Sequence, residues 1–211
     1  ANSQPQDAQR LDGTVIPAMA NLHSHAFQRA MAGLAEVAGD PQDSFWTWRD
    51  LMYRMVQRLS PQQVGAVAAA LYVEMLKGGY CQVAEFHYLH HQPDGQPYPQ
   101  DEMLTELIAA AERSGIGQTL LPVLYSYAGF GSQPAQPGQK RFIQDTAAYL
   151  AQQQRLVKLI DGKPLINHGL CFHSLRAVSE AQMHEVLAAS PAHLPVHLHV
   201  AEQEKGVNDS L

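Results

Sequence analysis

The sequence predicts an α/β fold in which helices cover a parallel β-sheet. The chain has 211 residues, of which 45% are apolar and 16% are charged, and such a chain can bury a sizeable core. Short apolar segments alternate with longer amphipathic ones, which is typical of βαβ units. Two closures satisfy this pattern, an open doubly wound sheet and a (β/α)8 barrel. A dinucleotide-binding sheet is disfavoured because no glycine-rich loop follows the first strand.

Five strands and five helices are predicted, in alternation. Ser60 and Pro61 indicate a helix N-cap and first helical position, Gly78 and Gly79 indicate the end of that helix, and Gly115 ends the next one. The predicted strands cover residues 15–22, 81–86, 119–125, 165–171 and 194–200. The predicted helices cover residues 44–58, 61–77, 101–114, 141–157 and 179–189, with Ser44 as the cap of the first.

Charge and hydropathy exclude several classes of protein. The formal net charge is −6, from 14 basic and 20 acidic residues, so we expect neither a nucleic-acid partner nor an anionic membrane surface. We expect no transmembrane helix and, from the polar first residues, no signal peptide. Cys81 and Cys171 lie in apolar stretches and predict two buried thiols in a reducing cytoplasm.

Histidine is unusually frequent, with 11 residues, and one pair of histidines follows the first predicted strand. His23 and His25 are two residues apart, so in a strand their side chains share a face. This spacing arises by chance roughly 0.6 times in a chain of this composition, so the spacing alone is weak evidence. Its position at a strand end favours a site for Zn²⁺ or Fe²⁺, both of which bind neutral imidazoles.

The last predicted strand also ends in histidine. His197 and His199 share a face, with His197 one layer deeper, and Glu202 follows where the strand gives way to a loop. Glu202 would then be a proton carrier and not a ligand. A helical His–Glu pair or a hydrogen-bonded core histidine is the alternative, although the alternating residues 194–200 favour a strand.

Polar residues follow two further strands, which is typical of the catalytic rim of a barrel. One group runs from Glu85 to Tyr88, and the other contains His168, His173 and Arg176. We expect His90 and His91 to be exposed, because turn residues follow them directly.

Residues 43–49 contain both tryptophans of the chain and Arg49. Either a helix packs its aromatic residues on the core and leaves Arg49 in solvent, or aromatic packing holds Arg49 to grip a carboxylate in a bidentate manner.

Residues 17–25 together with His199 to Glu202 resemble the amidohydrolase superfamily. Residues 21–36 and 44–49 are, more narrowly, similar to the N-formimino-L-glutamate deiminases of bacterial histidine degradation, and the resemblance extends from Leu11 onward. It implies a distorted (β/α)8 barrel, with about the first five βα units in residues 14–211. Residues 1–13 would be a remnant of an N-terminal β-sandwich region.

The resemblance also implies the chemistry of the site. The enzyme would bind one Zn²⁺ per chain, with Fe²⁺ possible, through His23, His25 and His199. Glu202 would be the acid/base that handles the imino nitrogen, and the reaction would convert N-formimino-L-glutamate and water to N-formyl-L-glutamate and ammonia. The dicarboxylate substrate would be held by Gln28, Arg49, Tyr88, His173 and Arg176. The family resemblance further suggests a homodimer.

The family uses a later histidine and a metal-binding aspartate, both of which would follow Leu211. We therefore expect weak or no catalysis from residues 1–211 alone, and a competent enzyme if these residues are part of a longer chain that supplies both. Two alternatives stay open: another amidohydrolase deaminase, acting on a guanine-like or cytosine-like substrate, and a non-catalytic zinc-binding protein. The first alternative would share the histidines and Glu202 but would not need Arg49 and Arg176 to grip two carboxylates.

Overall fold

A parallel β-sheet covered by helices forms the protein, as the sequence predicts. The computed structural model describes residues 12–34, 45–200 and 208. Within these residues the sheet has six strands in the order β1-β2-β3-β5-β6, with β4 beside the first half of β3, and every pair is parallel. This arrangement is that of a partial TIM-like barrel.

Six strands and five helices form the described chain. The strands are β1 (Met19–Ser24), β2 (Tyr80–His87), β3 (Gly117–Leu124), β4 (Ile166–His168), β5 (Leu170–Ser174) and β6 (Val196–His199). The helices are α1 (Phe45–Val56), α2 (Pro61–Lys77), α3 (Glu102–Ser114), α4 (Thr146–Leu159) and α5 (Glu180–Ala188). Two 3₁₀ segments, Ala26–Met31 and Pro137–Gln139, complete them. The predicted cap Ser44 lies outside the described residues. So does most of the predicted remnant at residues 1–13, of which only residues 12 and 13 are described.

Local capping chemistry explains why the prediction of α2 is confirmed at both ends. The Ser60 hydroxyl accepts a hydrogen bond from the Gln63 backbone N–H, and the Gln63 side chain accepts one from the Ser60 N–H. Gly78 is the C-cap. Helix α3 ends equally clearly, because Gly115 has φ 80° in the left-handed region that glycine tolerates.

The single predicted strand 165–171 is wrong, because the chain breaks into β4 and β5 at Gly169. A Cβ atom at position 169 would lie 2.7 Å from the Pro195 carbonyl oxygen and 2.8 Å from Leu121 Cδ2. Only a residue without a side chain therefore allows the backbone to pass here. The break lets β5 leave the line of β4 and pair with both β3 and β6.

The prediction that a helix begins at Arg141 is also wrong. Helix α4 begins at Thr146, where the Asp145 carboxylate caps the Ala148 N–H. Arg141 is instead buried, and its guanidinium donates to the backbone carbonyls of His91, Val56 and Leu59. The first strand begins at Met19 and not at Val15, which is exposed.

Two exposure predictions fail as well. His90 is buried and His91 half-buried, because each Nε2 is hydrogen-bonded to a backbone carbonyl, of Val123 and Ile143 respectively. Cys81 is exposed, whereas Cys171 is buried as expected, and both are free thiols. In the described part of the chain, no helix combines the length and the apolar character that crossing a membrane requires.

A buried carboxyl group on β2 holds the chain that follows β1. Glu85 has no exposed surface, and its Oε1 accepts a hydrogen bond of 2.6 Å from the Ala26 backbone N–H. Burial raises the pKa of Glu85 to about 7, while the Ala26 N–H and the hydroxyls of Ser24 and Tyr72 oppose this shift. The end of β1 is therefore fixed by a group that is costly to ionise.

Replacing this carboxyl by an amide should change how stability depends on pH. Between pH 4.5 and 7 the folded protein binds more protons at Glu85 than the unfolded chain does, so the contribution of Glu85 to stability falls as the pH rises. Glu85→Gln cannot titrate, so its free energy of unfolding should rise relative to wild type by about 3 kcal/mol across this range. Chemical denaturation at several pH values measures the difference.

Glu74→Gln is the matched control. The Arg29 guanidinium lowers the pKa of the exposed Glu74, so this variant should lose stability relative to wild type only as the pH rises towards 4.5 and should run almost parallel to wild type between pH 4.5 and 7. Parallel curves for Glu85→Gln and wild type would contradict the prediction.

Candidate metal centre and substrate site

Three histidines from opposite edges of the sheet meet at its carboxyl end. His23 lies at the end of β1, His25 directly follows that strand, and His199 ends β6. The Nε2 atom of His23 lies 3.1 Å from Nε2 of His25 and 3.1 Å from Nε2 of His199. One ring nitrogen from each residue lies within 4.8 Å of the others, so the three could bind one metal ion.

The orientation of His25 is fixed by the neighbouring strand. Its Nδ1 lies 2.8 Å from the carbonyl oxygen of Phe86 on β2. A carbonyl can only accept, so Nδ1 carries the proton and Nε2 presents a lone pair to the other two histidines. This is the arrangement in which histidine usually binds a metal ion.

The charge state of the cluster suits a cation. Burial lowers the pKa of His25 to about 3 and that of His199 to about 4, with the nearby His23 adding to both shifts. These rings are therefore neutral at pH 7. A proton on His23 Nε2 could form a hydrogen bond to the Nε2 atom of only one of its two neighbours. One divalent ion, by contrast, could be bound by all three nitrogens. Three neutral imidazoles fit Zn²⁺ or Fe²⁺.

Three of the predicted substrate residues surround the histidines. The ring of Tyr88 lies 5.3 Å from that of His25, and Gln28 donates a hydrogen bond of 2.8 Å to the Tyr88 hydroxyl. The ring of His173, at the end of β5, lies 5.1 Å from that of His199. Gln28, Tyr88 and His173 are thus brought to one place from three separate parts of the chain.

The two predicted arginines each contact a tyrosine. Arg176 Nη1 is 3.5 Å from the hydroxyl of Tyr125, whose ring lies 4.1 Å from that of His173. The guanidinium carbon of Arg49 lies 5.5 Å from the centre of the Tyr53 ring. Aromatic packing therefore does hold Arg49, although through a tyrosine one turn along α1.

Other predicted residues are not part of this cluster. His168 lines a separate cavity of about 850 Å³ with Thr119 and Pro195, beside the start of β3. The break at Gly169 explains this, because it ends β4 well before the rim. His197 is half-buried and does not join the group of three, and Glu202 lies outside the described residues.

Sequence reasoning included Phe86 only as a member of the group from Glu85 to Tyr88, and it missed Tyr125 and Gln139 near the site. Phe86 stacks on His199 with ring centres 4.1 Å apart, and Tyr125 packs on His173. Tyr125 could have been found in the same way, because it directly follows β3. Gln139 contacts Tyr125 from the 3₁₀ segment Pro137–Gln139, and no sequence pattern points to it.

Comparison with known proteins identifies the fold and the family. Residues 14–211 match the amidohydrolase family. The chain is 61% identical over 205 residues to a formimidoylglutamate deiminase of Pseudomonas aeruginosa. That match covers 96% of this chain but 45% of the relative, so the chain spans about half the length of this protein.

Solved structures give the same result. A crystal structure of an amidohydrolase from Brucella melitensis is 48% identical, with a TM-score of 0.87, and the match covers 92% of this chain and 43% of that one. An adenosine deaminase from Xanthomonas campestris, solved with bound zinc, is 22% identical, with a TM-score of 0.62 over 92% of this chain and 38% of that one. The second likeness supports the fold alone. The chain belongs to the amidohydrolase family.

Proposed function

We propose that the protein catalyses the hydrolytic deimination of N-formimino-L-glutamate to N-formyl-L-glutamate and ammonia. The observation that carries the proposal is the convergence of His23, His25 and His199 on one point. The 61% identity to a formimidoylglutamate deiminase supports the choice of substrate. Water supplies the oxygen of the new formyl group, and the imino nitrogen leaves as ammonia.

We assign one Zn²⁺ per chain to the three histidines, with Fe²⁺ as the other ion that this donor set accepts. When bound, such an ion makes water acidic enough to supply hydroxide near neutral pH. The carbonyl of Phe86 and the buried carboxyl of Glu85 keep His25 and the following backbone in place for this purpose.

The remaining residues would bind the substrate and move protons. Arg49 and Arg176 are each positioned against a tyrosine and can pair with the two carboxylates of the substrate. Tyr88, oriented by Gln28, adds a neutral donor, and His173 lies between the histidine cluster and Arg176. We assign to Glu202 the proton that the departing nitrogen needs.

A cytoplasmic homodimer completes the proposal. The free thiols of Cys81 and Cys171 support a reducing compartment, and the family resemblance supports the dimer. Neither a nucleic acid nor a membrane is proposed as a partner. Sedimentation analysis of the purified protein tests the dimer.

Loss of one cluster histidine should remove the metal. His199→Ala should bind Zn²⁺ at least about tenfold more weakly than wild type, which should bind one equivalent, because two imidazoles remain of three. His184→Ala is the control, since His184 is an exposed histidine on α5 beside Glu180. Equilibrium dialysis with metal analysis measures both. Equal zinc affinity in wild type and His199→Ala would refute the metal assignment.

Removing one arginine should separate substrate binding from metal binding. Arg49→Met keeps the apolar packing but cannot pair with a carboxylate, so turnover of N-formimino-L-glutamate should be abolished while one zinc per chain remains. Ammonia release and metal content measure the two effects, in a chain that also supplies the later histidine and aspartate that the resemblance implies. Unchanged turnover would favour another deaminase substrate, and wild-type protein with full zinc but no turnover would favour a non-catalytic zinc-binding role.

A further inference from the structure

A continuous set of side chains joins the two arginines that we assign to the substrate's carboxylates. Arg49 lies on α1, and Arg176 lies in the loop after β5. Tyr53, Gln139 and Tyr125 lie between them, and each touches the next through a hydrogen bond. None of these three residues was singled out by the sequence, and none touches the substrate in the proposed reaction.

Gln139 is the centre of this set. Its Nε2 lies 2.8 Å from the Tyr125 hydroxyl and 3.3 Å from the Tyr53 hydroxyl. An amide NH₂ group has two hydrogens, so it can donate to both tyrosines at once. One side chain therefore fixes the position of two hydroxyl groups from different elements of the fold.

The amide of Gln139 cannot turn around. Its Oε1 already accepts a hydrogen bond of 2.8 Å from the Gln136 backbone N–H, and the residue is 2% exposed. The backbone before it is also pressed against Tyr53, since a Cβ atom on Gly138 would lie 3.0 Å from Tyr53 Cδ2. The NH₂ group is thus held towards the tyrosines.

Each tyrosine contacts one arginine at the outer end of the set. The Tyr53 ring lies under the guanidinium of Arg49, and the Tyr125 hydroxyl lies 3.5 Å from Arg176 Nη1. Phe142 packs against both rings, with centres 5.7 and 6.0 Å away. Burial raises the pKa of Tyr53 above its usual range, so its hydroxyl stays protonated.

We propose that Tyr53, Gln139 and Tyr125 form a bridge that fixes the separation of Arg49 and Arg176, and that this separation selects substrates with two carboxylates. The three are positioning residues, because they act through the arginines. The inference rests on the proposed function, which supplies the dicarboxylate. A ligand with two carboxylates gains from both arginines only if they are held at the matching distance before binding. A ligand with one carboxylate gains little from such a bridge.

The test compares binding of N-formyl-L-glutamate with binding of its two mono-amides, in which one carboxylate is neutral. Calorimetry on zinc-loaded wild type, Tyr53→Phe, Tyr125→Phe and the double variant gives the preference for the diacid. Each single variant keeps its ring and loses only the hydroxyl. Tyr149→Phe is the matched control, because Tyr149 is also buried and its hydroxyl also takes part in two hydrogen bonds, with the Cys171 N–H and Gln153, away from the bridge.

Wild type and Tyr149→Phe should prefer the diacid equally. Either bridge variant should lose about tenfold of this preference, which corresponds to one hydrogen bond of about 1.4 kcal/mol. The double variant should lose no more than a single one, since either change breaks the same bridge. With N-formimino-L-glutamate as substrate, KM should rise while kcat stays within about twofold.

Several results would overturn the bridge. Among them are full preference in both single variants, additive losses in the double variant, and an equal loss in Tyr149→Phe. A fall in kcat without a rise in KM would do the same. A wild type that binds the diacid no better than the mono-amides would instead overturn the dicarboxylate assignment itself, and the bridge with it.

Discussion

The common direction of the strands is the constraint on which the site depends. Because β1 and β6 are both parallel to the strands between them, their last residues both lie at the carboxyl end of the sheet. His23 and His199 are far apart in the sequence, yet their Nε2 atoms lie 3.1 Å apart. If β6 were antiparallel, His199 would lie at the other end of the strands, away from His23. The site therefore depends on the strand direction and not on any local sequence alone.

The neighbouring strand β2 then fixes the orientation of the His25 ring and of the backbone that follows it. Glu85 and Phe86 are consecutive residues of β2, and they hold the Ala26 N–H and the His25 ring respectively. Both contacts are buried or half-buried and both come from one strand, so the position of His25 depends on the register between β1 and β2. A register shift of one residue would turn the Glu85 side chain to the other face of the sheet and would move the Phe86 carbonyl away from His25. Both contacts would then be lost.

The parts of the molecule that sequence could predict are those governed by neighbouring residues. Helix α2 was predicted to the residue because Ser60, Gln63 and Gly78 define its ends locally, and the histidine pair follows from strand periodicity. The break at Gly169 and the burial of Arg141 could not be predicted. Each depends on backbone from a distant segment, Pro195 in one case and His91, Val56 and Leu59 in the other. The same holds for Gln139, whose partners come from α1 and from the end of β3.

The metal-binding histidines and the two arginines are carried by different parts of the fold, and this separation has a chemical consequence. The cluster histidines lie at strand ends, where the backbone of β1 pairs with β2 and that of β6 pairs with β5. The arginines lie on α1 and on a loop, and their positions depend on side-chain contacts with Tyr53 and Tyr125. A substitution in the second set can therefore alter which ligand is bound without moving the histidines. Tyr125 is the exception, because its ring also packs on His173, so its hydroxyl and its ring have to be considered as separate functional groups.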